Sequence, residues 1–212
     1  MQKNLERDLK RLCDLAMGWG AAKAKAFDAQ DVVIDERVRL KCQVPICSGY
    51  GASLMCPPNV MSLADFINVL TKYQRSILVQ VSCPIPSEMQ PMIASESTDV
   101  ADLYQNEEFL TSYDESIKQA KMQLHELVNR VEAAAFSMGY RFATGLIGGQ
   151  CILCEDCVAQ SANNEPCRHP FRARPSMEAM GIDVFQTAAN AGLPFDIPPK
   201  EITVWTGLVL VD

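Results

Sequence analysis

Residues 112–139 read SYDESIKQAKMQLHELVNRVEAAAFSMG, and this stretch decides the fold class. Its apolar positions Ile117, Ala120, Leu124, Leu127, Val131, Ala134 and Met138 recur at the three-and-four spacing of a one-faced helix. Gly139 ends the pattern as a helix C-terminus does. At the other end, Ser112 with Glu115 three residues later predicts a capping box. A single apolar stripe must be covered. The strand-like segments 76–81, 140–147 and 202–211, rich in Val, Ile, Thr and aromatic residues, supply the surface that would cover it.

Further out, residues 3–17 carry Leu5, Leu9, Leu12, Cys13, Leu15 and Ala16 on one helical face, stopped at Gly18-Trp19-Gly20. Asp31-Val-Val-Ile34, with Val38 and Leu40 following, predicts a strand leading into Cys42. Ser62 and Asp65 predict a helix N-cap ahead of Phe66, Val69 and Leu70. Residues 83–110 have the look of a mobile insertion. The string Thr-Gly-Leu occurs in two of the strands, too short a match to mark a repeat. The expected product is an α+β fold: a small layered sheet of about four strands with packed helices and cysteine-rich metal-binding loops at 42–58 and 148–170. Its 212 residues suit one domain, 1–212.

Composition removes several classes. With 48% apolar and 21% charged residues the chain is an ordinary globular protein rather than a disordered one. No apolar run approaches the roughly 20 residues of a membrane span. The charged start MQKNLERDLKRLCDLAMGWG lacks the apolar core of an export signal, so a cytoplasmic location is expected. A net charge of −7 opposes binding to a phosphate backbone, so no nucleic acid partner is expected. No glycine-rich phosphate loop stands in a strand-to-helix setting, and no Gly-x-Ser-x-Gly elbow is present.

The nine cysteines carry the chemistry. In a reducing compartment such clusters bind metal or do redox work more often than they form disulfides. Cys151-Ile-Leu-Cys154-Glu-Asp-Cys157 spaces three thiols at two-residue intervals, and Cys167-Arg168-His169-Pro170 supplies a fourth. Bacterial ferredoxin loops use a similar run, because two intervening residues let the backbone wrap one cubane corner with its N–H groups towards anionic sulfur. Gly148-Gly149 just before the run permits positive φ and close backbone approach to such a cluster. The competing readings are a structural zinc ion on the same four thiolates, and reduced cysteines packed as small hydrophobes.

A second loop, Cys42-x4-Cys47-x8-Cys56-Pro57-Pro58, offers three ligands, which would leave one iron of a second cluster open to a substrate. Cys83, followed by Pro84, is a candidate fourth ligand, and the alternatives are a second zinc site or a loop whose cysteines are simply reduced. Cys13 sits on an apolar helix face and is read as core. His125, alone in mid-helix, is read as a packing residue, whereas Arg168 and His169 flank Cys167 and either donate hydrogen bonds to cluster sulfur or, for Arg168 with Arg172 and Arg174, simply offset local acidic charge.

Taken jointly, these motifs resemble an uncharacterised family of cysteine-rich "predicted metal-binding" proteins common in anaerobes. The resemblance spans most of the chain. It is carried by Cys42-x4-Cys47 with Tyr50-Gly51, by Cys56-Pro57-Pro58, and by Gly148-Gly149-x-Cys151-x2-Cys154-x2-Cys157. Pro166-Cys167-Arg168-His169-Pro170 and the segment Arg174-Pro-Ser-Met-Glu-Ala-Met-Gly-Ile-Asp183 complete it. The resemblance implies metal binding by the cysteines and names no reaction. The last segment, whose Pro-Ser-Met-Glu start has the composition of a helix N-terminus, is expected to cover the cluster.

The sequence therefore points to a [4Fe–4S] protein of electron transfer or redox chemistry, with Cys151, Cys154, Cys157 and Cys167 as ligands of one cluster. A sharper variant of this reading gives Cys42, Cys47 and Cys56 a second cluster with an open iron. A redox partner protein or a small-molecule substrate is the expected counterpart. The rival is a non-enzymatic zinc module that docks a protein through its acidic surface.

Overall fold

The computed structural model describes residues 4–87, 89–94, 113–161 and 165–212. Its centre is a four-stranded antiparallel sheet of β1 (Lys23–Asp28), β2 (Arg75–Pro84), β3 (Thr144–Leu146) and β4 (Ile202–Val211), in the order β1-β2-β4-β3. Around it lie α1 (Leu5–Gly18), α2 (Glu36–Leu40), α3 (Leu63–Leu70), α4 (Gln90–Ala94), α5 (Asp114–Ser137) and α6 (Val184–Asn190). Among the described residues no helix is long and apolar enough to cross a membrane.

The two central strands are apolar on both faces because both faces are covered. Alternation along β2 sends Ile77, Val79, Val81 and Cys83 into one core and Leu78 into the other. In β4, Val209 and Val211 join the first, and Leu208 and Leu210 the second. The first core is roofed by α1 and α5, whose Leu9, Leu12, Leu124, Leu127, Val128 and Val131 are at most 1% exposed. Each such side chain contributes about 1.5–3 kcal/mol by burial. The second core is closed by Phe66 of α3, Met177, Met180 and Ile182 of the segment after β3, and Ala188 of α6.

The shared Thr-Gly-Leu string has a steric reason rather than a genealogical one. A Cβ on Gly145 would lie 2.4 Å from Val128 Cγ1, and one on Gly207 would lie 2.6 Å from Val128 Cγ2. Both strands need glycine where α5 presses on the sheet.

Local expectations are met at several helix ends. Ser62 caps α3 by accepting the Asp65 N–H at 3.1 Å, and Gly139 follows α5 at φ +96°. Elsewhere the structure corrects the reading. Residues 31–40 form no strand: Asp35 accepts the Arg37 N–H at 2.8 Å and caps the short helix α2, leaving only an isolated bridge between Ile34 and Ile182. The fourth strand is β1, where Lys and Ala alternate and the periodicity is muted because Lys23, Ala24, Lys25 and Ala26 remain partly or fully exposed. The segment 140–147 contributes only Thr144–Leu146, since Tyr140 to Ala143 make a turn. Helix α5 begins at Asp114 with Tyr113 as a cap that makes no side-chain cap bond; Ser112 of the expected capping box lies outside the described residues. Of the expected insertion 83–110, Cys83 and Pro84 complete β2 and Gln90–Ala94 form a helix, while 88 and 95–110 lie outside the described residues.

Candidate metal centre

The first cysteine loop is built from consecutive turns. The Cys47 N–H reaches the Cys42 carbonyl at 3.1 Å, the Tyr50 N–H the Cys47 carbonyl at 3.0 Å, and the Asn59 N–H the Cys56 carbonyl at 3.0 Å. Asn59 also donates its side-chain amide to the Ser53 carbonyl at 3.0 Å, and Gln43 donates to the Tyr50 hydroxyl at 2.7 Å. With its own backbone satisfied, a Gly- and Pro-rich loop can hold a fixed course without helix or strand. Gly49 is the tight point: a Cβ there would stand 2.6 Å from Gln150 Oε1 and 3.1 Å from Cys56 Sγ.

The second loop leaves β3 by pairing with its own downstream chain. The Ile147 N–H donates to the Pro175 carbonyl at 3.1 Å, and the Met177 N–H to the Ile147 carbonyl at 2.7 Å. Between these two strands of the loop hang Cys151, Cys154, Cys157 and Cys167. The return limb is fastened to α5: His125 donates Nε2–H to the Arg172 carbonyl at 2.8 Å, and Asn129 donates to the same carbonyl at 3.0 Å. Arg174 grips Glu132 bidentately, at 2.8 and 2.5 Å.

All nine cysteines are free thiols. Cys151, Cys154, Cys157 and Cys167 are all half-buried. Burial pushes the Cys151 thiol up, and the negative charges of Cys167, Cys154 and Cys157 push it further. The four are thus electrostatic neighbours. In the first loop, burial raises Cys42, with Cys47 adding to the effect. Burial, with the charges of Cys47, Cys42 and Cys151 behind it, pushes Cys56 up to about 11. Cys56 thus feels charge from both groups. Among the described residues no group of three or more His, Cys, Asp or Glu side chains is drawn together as a ready-made site for one metal ion.

Cys42, Cys47 and Cys56 line a cavity of about 570 Å³ beside the first half of β4; the four thiols of the second loop do not. Its walls include Phe185 and Phe195, whose rings lie 4.9 Å apart, and Trp205. Over the Trp205 ring sits the Lys121 ammonium, 4.5 Å from its centroid. Burial lowers the Lys121 pKa. Glu178 also lines the cavity, and its carboxylate accepts the Gly149 N–H at 3.2 and 3.3 Å. Burial pushes this carboxyl up in pKa, against hydrogen bonds from its own N–H, from Gly149 and from Ser176.

Several sequence-based assignments change in detail. Gly149 does have positive φ, +70°, but the close approach at Gly148 is to β4, where a Cβ would meet the Thr206 carbonyl at 2.5 Å. The sulfur of Cys167 accepts the backbone N–H of His169 at 3.4 Å, while the Arg168 side chain donates to the Asp156 carbonyl at 2.9 Å. The segment after Arg174 forms a single 3-10 turn, Glu178–Met180, instead of a helix. Ser176 accepts the Ala179 N–H at 2.9 Å there. Cys83 is 2% exposed in the first core and stands apart from the cavity lining. Sequence reasoning passed over Glu178, Lys121 and Trp205 as site residues. The available signal was Glu178 itself, an acid set among Met177, Ala179 and Met180, where an unpaired charge is costly.

A family model described as "Predicted metal-binding protein (DUF2284)" matches residues 25–211. No curated protein and no solved structure matches the chain.

Proposed function

The chain belongs to this family of predicted metal-binding proteins, and on that premise we propose that Cys151, Cys154, Cys157 and Cys167 hold one [4Fe–4S] cluster for electron transfer or redox chemistry. The observation that carries the reading is the electrostatic neighbourhood of four free thiols at ferredoxin-like spacing, each felt by Cys151. The donor set is all sulfur, the soft ligand type that suits iron–sulfur clusters. When bound, the cluster would supply one-electron chemistry. The chain's own part is to direct the His169 N–H at Cys167 sulfur and to half-bury the thiols, both of which tune a cluster's potential.

Cys42, Cys47 and Cys56 would hold a second cluster whose fourth position faces the cavity they line. The charge of Cys151 is felt at Cys56, which supports reading the two sites as neighbours. That arrangement suits passage of electrons from a redox partner protein at the outer loop to a small molecule in the cavity. Nine free thiols suit a reducing, cytoplasmic setting.

The test is iron and acid-labile sulfide on anaerobically purified chain, with Cys154→Ala and Cys47→Ala beside it. Loss of about four irons in each variant separately supports two clusters. Unchanged spectra in Cys47→Ala remove the second. Stoichiometric zinc without sulfide replaces the redox reading by a structural zinc module.

A further inference from the structure

The cavity beside β4 contains more than an open metal position needs. Its volume of about 570 Å³ falls within the ~300–1,000 Å³ of small-molecule sites, and its walls are mainly apolar. Phe185, 49% exposed, and Ile197, 58% exposed, leave apolar surface at its mouth. The Glu178 carboxyl stands at the wall among these side chains.

The charge of the site selects against anions. Glu178, Asp183 and Asp196 line the cavity with Cys42, Cys47 and Cys56, whereas Lys41 is the one cationic side chain among the lining residues. A carboxylate or phosphate entering it would meet like charge in an apolar setting.

We infer that the cavity binds an uncharged, mainly apolar molecule of aromatic size carrying a hydroxyl group, which donates to Glu178. The apolar body lies against Phe185 and Phe195. Binding of this class rests on the cavity alone; only the further point, that the ligand's end lies against a metal on Cys42, Cys47 and Cys56, rests on the metal reading proposed above.

The test is calorimetric titration of the anaerobically purified full chain with three probes sharing one ring system: 2-naphthol, 2-methoxynaphthalene and naphthalene-2-sulfonate. The expected order places 2-naphthol first, bound one to one. 2-Methoxynaphthalene, which cannot donate, is weaker by about tenfold, the size of one hydrogen bond, and the sulfonate is weaker still. Glu178→Ala weakens 2-naphthol about tenfold more than it weakens 2-methoxynaphthalene. Phe185→Ala, at a half-exposed position, weakens both neutral probes. Tighter binding of the sulfonate, no binding of 2-naphthol, or equal affinities in Phe185→Ala and wild type overturns the inference. Metal content is read on the same samples. Metal without 2-naphthol binding removes the ligand site alone, and 2-naphthol binding without metal removes the metal reading alone.

Discussion

The carboxylate of Glu178 accepts the backbone N–H of Gly149 through both oxygens, at 3.3 and 3.2 Å, and so ties the chain just before Cys151 to the chain just after Cys167. A loop carrying four thiols is closed at its neck by one carboxyl. The same carboxyl faces the cavity, so loop position and cavity chemistry are set by one residue.

Glu178 makes stability depend on pH in a definite direction. Its folded pKa is raised, chiefly by burial, so its protonated form is favoured in the folded chain. The stability it contributes is whole below the unfolded carboxyl value of about 4.3, and is lost as pH rises through the raised folded value. Urea unfolding of wild type and Glu178→Gln across this range should show wild type losing stability relative to the variant as pH rises. Parallel curves contradict this.

Gly148→Ala should be costly where most surface substitutions are not. Its Cβ would stand 2.5 Å from the Thr206 carbonyl, and backbone cannot swing aside as a flexible side chain can. A loss of about 1–3 kcal/mol in denaturant unfolding is expected, with lowered metal content because Cys151 follows three residues on. Unfolding at the wild-type midpoint contradicts it.

Arg174 and Glu132 are matched as a fork to a carboxylate, and Glu132 also accepts the Gly145 N–H at 2.6 Å. Glu132→Ala leaves Arg174 and a strand N–H without this acceptor, for an expected cost of about 2–3 kcal/mol. Arg174→Lys keeps the charge and loses the fork, so thermal unfolding should show only partial recovery relative to Arg174→Ala. Full recovery contradicts the bidentate account.

Cys83→Ala should leave metal content unchanged, because the thiol lies in β2 within the first core. The cost should be about 1 kcal/mol from the small volume removed. Metal loss in this variant would return Cys83 to the ligand set.

The long helix α5, the buried strands β2 and β4 and the cap at Ser62 were legible because each obeys a local rule: a stripe, an apolar run, a hydroxyl followed by an acid. Strand β1 was not, since Lys23 to Ala26 earn their place by pairing with β2, a long-range partner that periodicity does not record. Residues 31–40 misled for the opposite reason. Their β-branched content suggested a strand, and the Asp35 cap decided for a helix. The cysteine loops stood out by spacing alone, but the cavity did not. It depends on residues as distant in sequence as Cys42, Glu178 and Trp205 meeting at one end of the sheet.

The most direct test of the metal centre is iron and acid-labile sulfide, with visible and EPR spectra, on anaerobically purified wild type and Cys154→Ala. The account predicts about eight irons and eight sulfides per chain in wild type, falling to about four in the variant. Zinc without sulfide, or iron and sulfide unaltered by Cys154→Ala, would contradict it.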